Sequence, residues 1–229
     1  MRRRLASLAV AILALAASIA SGNLGAAHAQ GSRPGDAPGR FDYYLLALSW
    51  SPSFCANPEM AAREPAQCSS QRRFSFVVHG LWPQKERGWP QDCPTPTQTV
   101  PSTVVQKQLD IMPSPNLVEH QWDKHGACSG LTAQGYFDLT RQFRTKVIVP
   151  PQYAAPTQTL IVTGAEVETA FMKANPGLKP DMVAVTCDQR RIRDVRICFT
   201  KDGRYRSCGA DVRDRCGTER RAMPPTRGK

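Results

Sequence analysis

Apolar positions change period several times along the chain, and each change marks an element. FDYYLLALSW, residues 41–50, is a nearly unbroken apolar and aromatic run closed by Ser51-Pro52, the pattern of a strand buried on both faces. RRFSFVVHG, residues 72–80, reads as a second strand that ends at its glycine. After a Pro/Thr-rich loop over residues 94–103, VVQKQLDIM predicts a short helix that stops before Pro113, where the ring would block it. A further helix is expected to open near Asn116 as N-cap, with Glu119 completing a capping-box-like pattern, and to run through His120 to His125. YFDLTRQFRTKV places apolar residues at 136, 139, 143 and 147, one face of a helix. Thr163-Gly164-Ala165-Glu166 is a capping box for a helix ending before Asn175-Pro176. MVAVTC (182–187) and DVRICF (194–199) are strands, with Lys201-Asp202-Gly203 as a hairpin turn. Strands and helices without regular alternation predict an α+β fold, a single disulfide-stabilised domain on a central, mainly antiparallel sheet flanked by helices.

The two ends read differently from this middle. Basic Arg2-Arg3-Arg4, an apolar run from Leu5 to Ala20 and the small-residue site Ala27-His28-Ala29 have the three parts of a secretory signal. Residues 1–29 are therefore expected to be cleaved, 30–40 to be a flexible lead-in, 41–217 to form the domain, and 218–229 to be a flexible basic tail. No later stretch is apolar enough to span a bilayer. The expected location is periplasmic or secreted, with no membrane contact after cleavage, and nothing points beyond a monomer.

Charge and cysteine content narrow the partner and the compartment. Without the first 29 residues the chain carries 27 basic against 19 acidic residues, a formal +8. Such a balance favours a polyanion and supplies sequence-independent phosphate contacts, although a basic surface kept for solubility would give the same number. All eight cysteines follow the signal and no C-x-x-C pair occurs, which points to four disulfides in an exported chain rather than to zinc. Arg190, Arg191, Arg193, Arg196, Lys201, Arg204 and Arg206 cluster in one predicted strand pair, where they either track phosphates or form a charged edge that discourages strand pairing.

The chemistry lies with the histidines. His28 falls in the signal, and the other three sit in two short stretches, FVVHGLWPQ around His79 and VEHQWDKHGAC around His120 and His125. On a helix, His120 lies over Lys124 and Gln121 over His125, so four polar groups form one patch while Trp122 and Cys128 anchor to the core. Gly80 after His79 lets the backbone turn or a ligand come close. Two proton-shuttling histidines and a lysine are what cleavage of RNA by its own 2′-hydroxyl requires: a base, an acid for the departing 5′-oxygen, and a cation for the phosphorane charge. Neither a metal nor another cofactor is needed.

At these residues the chain resembles the ribonuclease T2 family. That family's first active-site segment reads close to F-x-x-H-G-L-W-P, matched by Phe76 to Pro83, and its second close to H-E-W-x-K-H-G-T-C, matched by His120 to Cys128 with Gln121 for the usual Glu and Ala127 for the usual Thr. The resemblance extends through FDYYLLALSWSPSFC and through VRICF followed by Cys208. It implies an endoribonuclease of broad base preference acting on single-stranded RNA. In it His125 would be the base, His79 the acid, His120 a phosphate-binding group and Lys124 the stabiliser of the transition state, giving a 2′,3′-cyclic phosphate that is then slowly hydrolysed, and a 5′-hydroxyl. Trp82 would be a stacking platform for a base unless it is a core tryptophan, with Gln84 and Trp89 as weaker base contacts. The resemblance also implies disulfides Cys93–Cys128, Cys187–Cys216 and Cys198–Cys208, which leaves Cys55 with Cys68. Two other classes compete: a secreted RNA-binding or toxin-like protein on the same fold that turns over little because Gln121 replaces the acid, and a metallophosphatase, for which the clustered acids are missing.

Overall fold

The apolar run after Asp42 becomes β1 (Tyr43–Trp50), buried along almost its whole length. A computed structural model describes residues 36–226 apart from residues 70 and 98, so the expected export signal and the start of the lead-in lie outside the described residues. Ser51-Pro52 starts a helical turn: α1 (Ser51–Cys55), α2 (Pro58–Arg63) and α3 (Pro65–Cys68) follow in quick succession, folded back by the Cys55–Cys68 disulfide. β2 (Phe76–Gln84) then pairs antiparallel with β1. Helices α4 (Ser102–Gln108), α5 (Pro115–Lys124), α6 (Ala133–Thr145) and α7 (Pro151–Ala154) come next. After them come β3 (Leu160–Val162), α8 (Gly164–Ala174), β4 (Val183–Cys187), β5 (Ile192–Phe199) and β6 (Arg221–Met223). The main sheet has the order β2-β1-β5-β4 and every neighbouring pair is antiparallel.

Alternation along β1 divides the interior. Tyr44, Leu46, Leu48 and Trp50 face the large core, which includes Trp122, Tyr136, Phe143 and Phe171, whereas Tyr43, Leu45 and Ala47 face a smaller cluster with Cys198 and Trp82. Each wholly buried aliphatic side chain, such as Leu46 or Leu81, contributes about 1.5–3 kcal/mol relative to exposure. The Tyr136 hydroxyl donates to the Leu81 carbonyl at 2.9 Å, so the buried phenol that ties α6 to β2 is satisfied. All four disulfides join the implied partners.

Several expectations need correcting. β2 does not end at Gly80 but continues to Gln84, because the chain absorbs an extra residue as a β-bulge: Ala47 pairs with Gly80 and Leu48 with Val78, leaving His79 without a partner across the ladder. Helix α5 is capped by Ser114, whose hydroxyl accepts from the Leu117 N–H, and Pro115 occupies the first turn where a missing N–H costs nothing. Asn116 is therefore inside the helix, and Glu119 instead accepts from the Val100 N–H at 3.1 Å. The supposed flexible tail is anchored through residue 226: β6 pairs with β3, Met223 is fully buried, and the Trp50 indole donates to the Pro224 carbonyl. The lead-in is docked from Asp36, which is buried against Lys85, and the Gly39 N–H donates to the Cys128 carbonyl. By contrast, the 163–166 capping box forms with both reciprocal bonds in place.

The candidate active site

The bulge in β2 turns His79 out of the ladder toward the face that carries Ser49, Asp194 and Trp82. Its Nδ1 is buried, has no hydrogen-bond partner, and lies 3.8 Å from Asp194 Oδ1. Exchange of a proton with a ligand therefore falls to Nε2. Asp194 sits opposite Ser49 in the β1–β5 register and is buried, accepting from the Ser49 hydroxyl at 2.5 Å and the Thr186 hydroxyl at 3.1 Å. Burial alone would raise its carboxyl, but His79, the Ser49 hydroxyl and the Arg196 guanidinium outweigh it and hold the group at about 2. Sequence reasoning missed Asp194. The available signal was a single carboxylate within an otherwise apolar and basic strand.

Helix α5 supplies the other side of the site. It ends at Lys124, so His125 is not a further helical residue but the C-cap, with φ −131° and ψ −41°, and its ring swings toward β2. Trp82 contacts both imidazoles: its ring centroid is 5.2 Å from that of His79, edge-on, and 5.2 Å from that of His125 at a tilt of 34°. The indole N–H donates to Gln121 Oε1 at 2.7 Å, and the Arg196 guanidinium carbon lies 5.4 Å from the ring centroid. With these contacts Trp82, partly buried, is a strut between the histidines. Gln121 is buried and leaves the predicted surface patch, turning toward Gly80 instead. A Cβ on Gly80 would lie 2.0 Å from Gln121 Oε1, so glycine is required there by this close approach.

Burial first, then the positive charge of His79, His120 and Lys124, hold His125 well down, at about 3, with Asp92 opposing. His125 is thus a neutral imidazole at any ordinary working pH, and its own Nδ1 is buried without a partner. Lys124 pairs with Asp92 at 2.8 Å, a contact exposed on both sides. Pairs of that kind contribute about 0–1 kcal/mol, so an arriving phosphate can displace the carboxylate. The Asp92 N–H also donates to the Lys124 carbonyl, and Cys93–Cys128 fastens the same loop to the turn after the helix.

His79 and His120 line one cavity of about 680 Å³ that extends between α1–α3 and the β4–β5 connection; His125 and Lys124 lie outside its wall. Of the expected base contacts, Gln84 is buried at the end of β2, where its amide donates to the Pro83 carbonyl, because the strand runs on past Gly80. Trp89 is half exposed on the loop that Asp92 ties to α5. The predicted basic cluster divides: Arg191 and Arg193 line the cavity, and four others have partners elsewhere. Arg204 pairs with Asp202, Arg206 with Glu86, Lys201 lies over the Phe41 ring and Arg196 lies against Asp194. Since β5 pairs on both sides, Arg193 and Arg196 are not on an edge strand, and the edge reading fails for those two.

Comparison with known proteins gives a consistent picture. The family model described as "Ribonuclease T2 family" matches residues 41–208. The chain is 35% identical over 170 residues to a protein named ribonuclease from Aeromonas hydrophila, covering 72% of this chain and 74% of that one. It is 34% identical over 179 residues to a probable ribonuclease of Haemophilus influenzae, covering 73% and 61%. Among solved structures, an RNase-related protein from Calystegia sepium superposes with a TM-score of 0.63 at 20% identity, covering 82% of this chain and 98% of that one. A variant of RNase MC1 in complex with 5′-UMP superposes with a TM-score of 0.58 at 21% identity, covering 78% and 96%.

Proposed function

The chain belongs to the ribonuclease T2 family and is an endoribonuclease of that type, and from that premise we propose that it cuts single-stranded RNA without a metal ion, using the 2′-hydroxyl as nucleophile. The neutral His125 accepts the 2′-hydroxyl proton through Nε2 as the oxygen attacks phosphorus. His79 Nε2 gives a proton to the 5′-oxygen as its bond to phosphorus breaks. The products are a 2′,3′-cyclic phosphate and a 5′-hydroxyl, and water later opens the ring to a 3′-phosphate with the two histidines exchanging roles. Lys124 and His120 meet the charge on the phosphoryl oxygens, which is where fixed cations lower the barrier most. Asp194, buried and anionic, faces His79 Nδ1 and orients the ring.

The observation that carries this reading is the row His79, Trp82, His125: two imidazoles braced against one indole, each presenting the nitrogen that is not buried. Four disulfides suit an oxidising compartment, which supports export to the periplasm or the medium with residues 1–29 as the signal. A monomer of broad base preference completes the reading. Replacing His79 or His125 by Ala is expected to lower the rate by about 10² to 10⁴ with the circular dichroism spectrum unchanged. Undiminished activity in either variant overturns the assignment.

A further inference from the structure

The cavity beside the histidines is larger than a single linkage needs. At about 680 Å³ it falls within the range of roughly 300–1,000 Å³ of sites that enclose a whole small ligand. Its wall also includes Arg63, from the last turn of α2, and Arg191 and Arg193, from the β4–β5 connection and the start of β5. Among the described residues none of these three guanidinium groups has an ion pair, unlike Arg204 and Arg206 nearby. Arg193 owes its place to a second β-bulge: Thr186 pairs with Asp194 and Cys187 with Ile192, so Arg193 is the extra residue, just as His79 is in β2. Bulges re-aim a side chain at the cost of a ladder bond, and here both re-aimed residues reach the same cavity.

Three acids, Glu64, Asp188 and Asp194, share the wall. Asp194 is occupied with Ser49 and Thr186, and Asp188 accepts the backbone N–H groups of Arg190 and Arg191, which fixes their turn. Glu64 follows Arg63 at the start of α3. The position of the cavity also gives it a polarity. It touches His79, which protonates the leaving 5′-oxygen, and not His125, which serves the 2′-hydroxyl. Whatever enters it is therefore the leaving nucleoside and the chain 3′ of it.

We propose that Arg63, Arg191 and Arg193 form a second phosphate subsite, which holds the phosphodiester one nucleotide 3′ of the bond being cut. The enzyme then recognises a stretch of polymer, and a lone dinucleotide forgoes part of the binding. This rests on the acid and base assignment above. The phosphate contacts are sequence-independent, as guanidinium contacts to a backbone are.

The test compares kcat/KM for a dinucleoside monophosphate with that for the same dinucleotide bearing a 3′-terminal phosphate, at fixed low salt. The added phosphate is expected to raise kcat/KM at least about tenfold in the wild type. That ratio is expected to fall toward one in Arg191→Ala/Arg193→Ala, to fall in the same direction in Arg63→Ala on a separate helix, and to persist in a Lys107→Ala/Arg204→Ala control that removes equal charge elsewhere. A wild-type ratio near one, or an undiminished ratio in both cavity variants, overturns the subsite alone. Failure of the wild type to cut single-stranded RNA in the same buffer overturns the ribonuclease mechanism and the subsite with it.

Discussion

The indole N–H of Trp82 donates to the side-chain oxygen of Gln121 at 2.7 Å, across the space that Gly80 leaves open. This bond fixes the strut between the two imidazoles and gives the amide at position 121 a structural task. A carboxylate there can accept the same bond, but it adds a buried charge beside His79 and His125.

Gln121→Glu is therefore expected to change turnover by less than about tenfold, a barrier change under roughly 1.4 kcal/mol. Steady-state cleavage of single-stranded RNA checks it. If the wild type is nearly inert and the substitution raises turnover about a hundredfold, the protein is better described as a binder on a ribonuclease scaffold.

Asp194→Asn keeps the Ser49 and Thr186 neighbours but removes the anion facing His79 Nδ1. The expected result is a fall in kcat of about 10- to 100-fold with KM within about twofold, the pattern of a lost interaction made chiefly in the transition state. A rise in KM with kcat unchanged contradicts the positioning role.

With His125 as the proposed base, the acid limb of kcat/KM against pH should lie well below the ordinary imidazole range, because that group is held at about 3 by burial and then by its positive neighbours. Lys124 is one of those neighbours and lowers the value, so removing it raises the value. In Lys124→Gln the limb is expected to move to higher pH, read from a profile between about pH 3 and 8. A limb that stays in place separates Lys124 from His125.

Burial, with Asp214 beside it, pushes the Glu168 carboxyl up to about 8. A folded-state value above the unfolded value of about 4.3 means that the folded chain holds the extra proton across that window, so stability falls as pH rises through it. Glu168→Gln removes the group that must ionise. Its thermal midpoint is expected to drop less than that of the wild type between pH 6 and pH 9, and parallel drops contradict the linkage.

What the sequence revealed of the fold depended on how local the cause was. β1 is a single buried run, and α8 is announced by Thr163 and Glu166, three residues apart. The two bulges were not legible, since an extra residue in one strand is defined only by the register of its partner: His79 by Leu48 and Ala47, Arg193 by Cys187 and Thr186. The tail looked polar because its one buried anchor among the described residues, Met223, belongs to a strand whose partner is β3, some sixty residues earlier. In the candidate site, what spacing made legible was that His120, Gln121, Lys124 and His125 come from one short stretch at the end of α5. Asp194 was not, because its contacts to His79, Ser49 and Thr186 come from three other strands. The inward turn of Gln121 was missed for a similar reason, since helical spacing says which residues share a face but not which face meets β2.

The central claim is metal-independent attack by the 2′-hydroxyl, and the chemistry of the cut ends tests it most directly. Single-stranded RNA is incubated with the purified protein in excess EDTA and the termini are identified by mass spectrometry. The account predicts 2′,3′-cyclic phosphate and 5′-hydroxyl ends, formed at the same rate with and without the chelator. Ends carrying a 5′-phosphate and a 3′-hydroxyl, or cleavage abolished by EDTA, would contradict it.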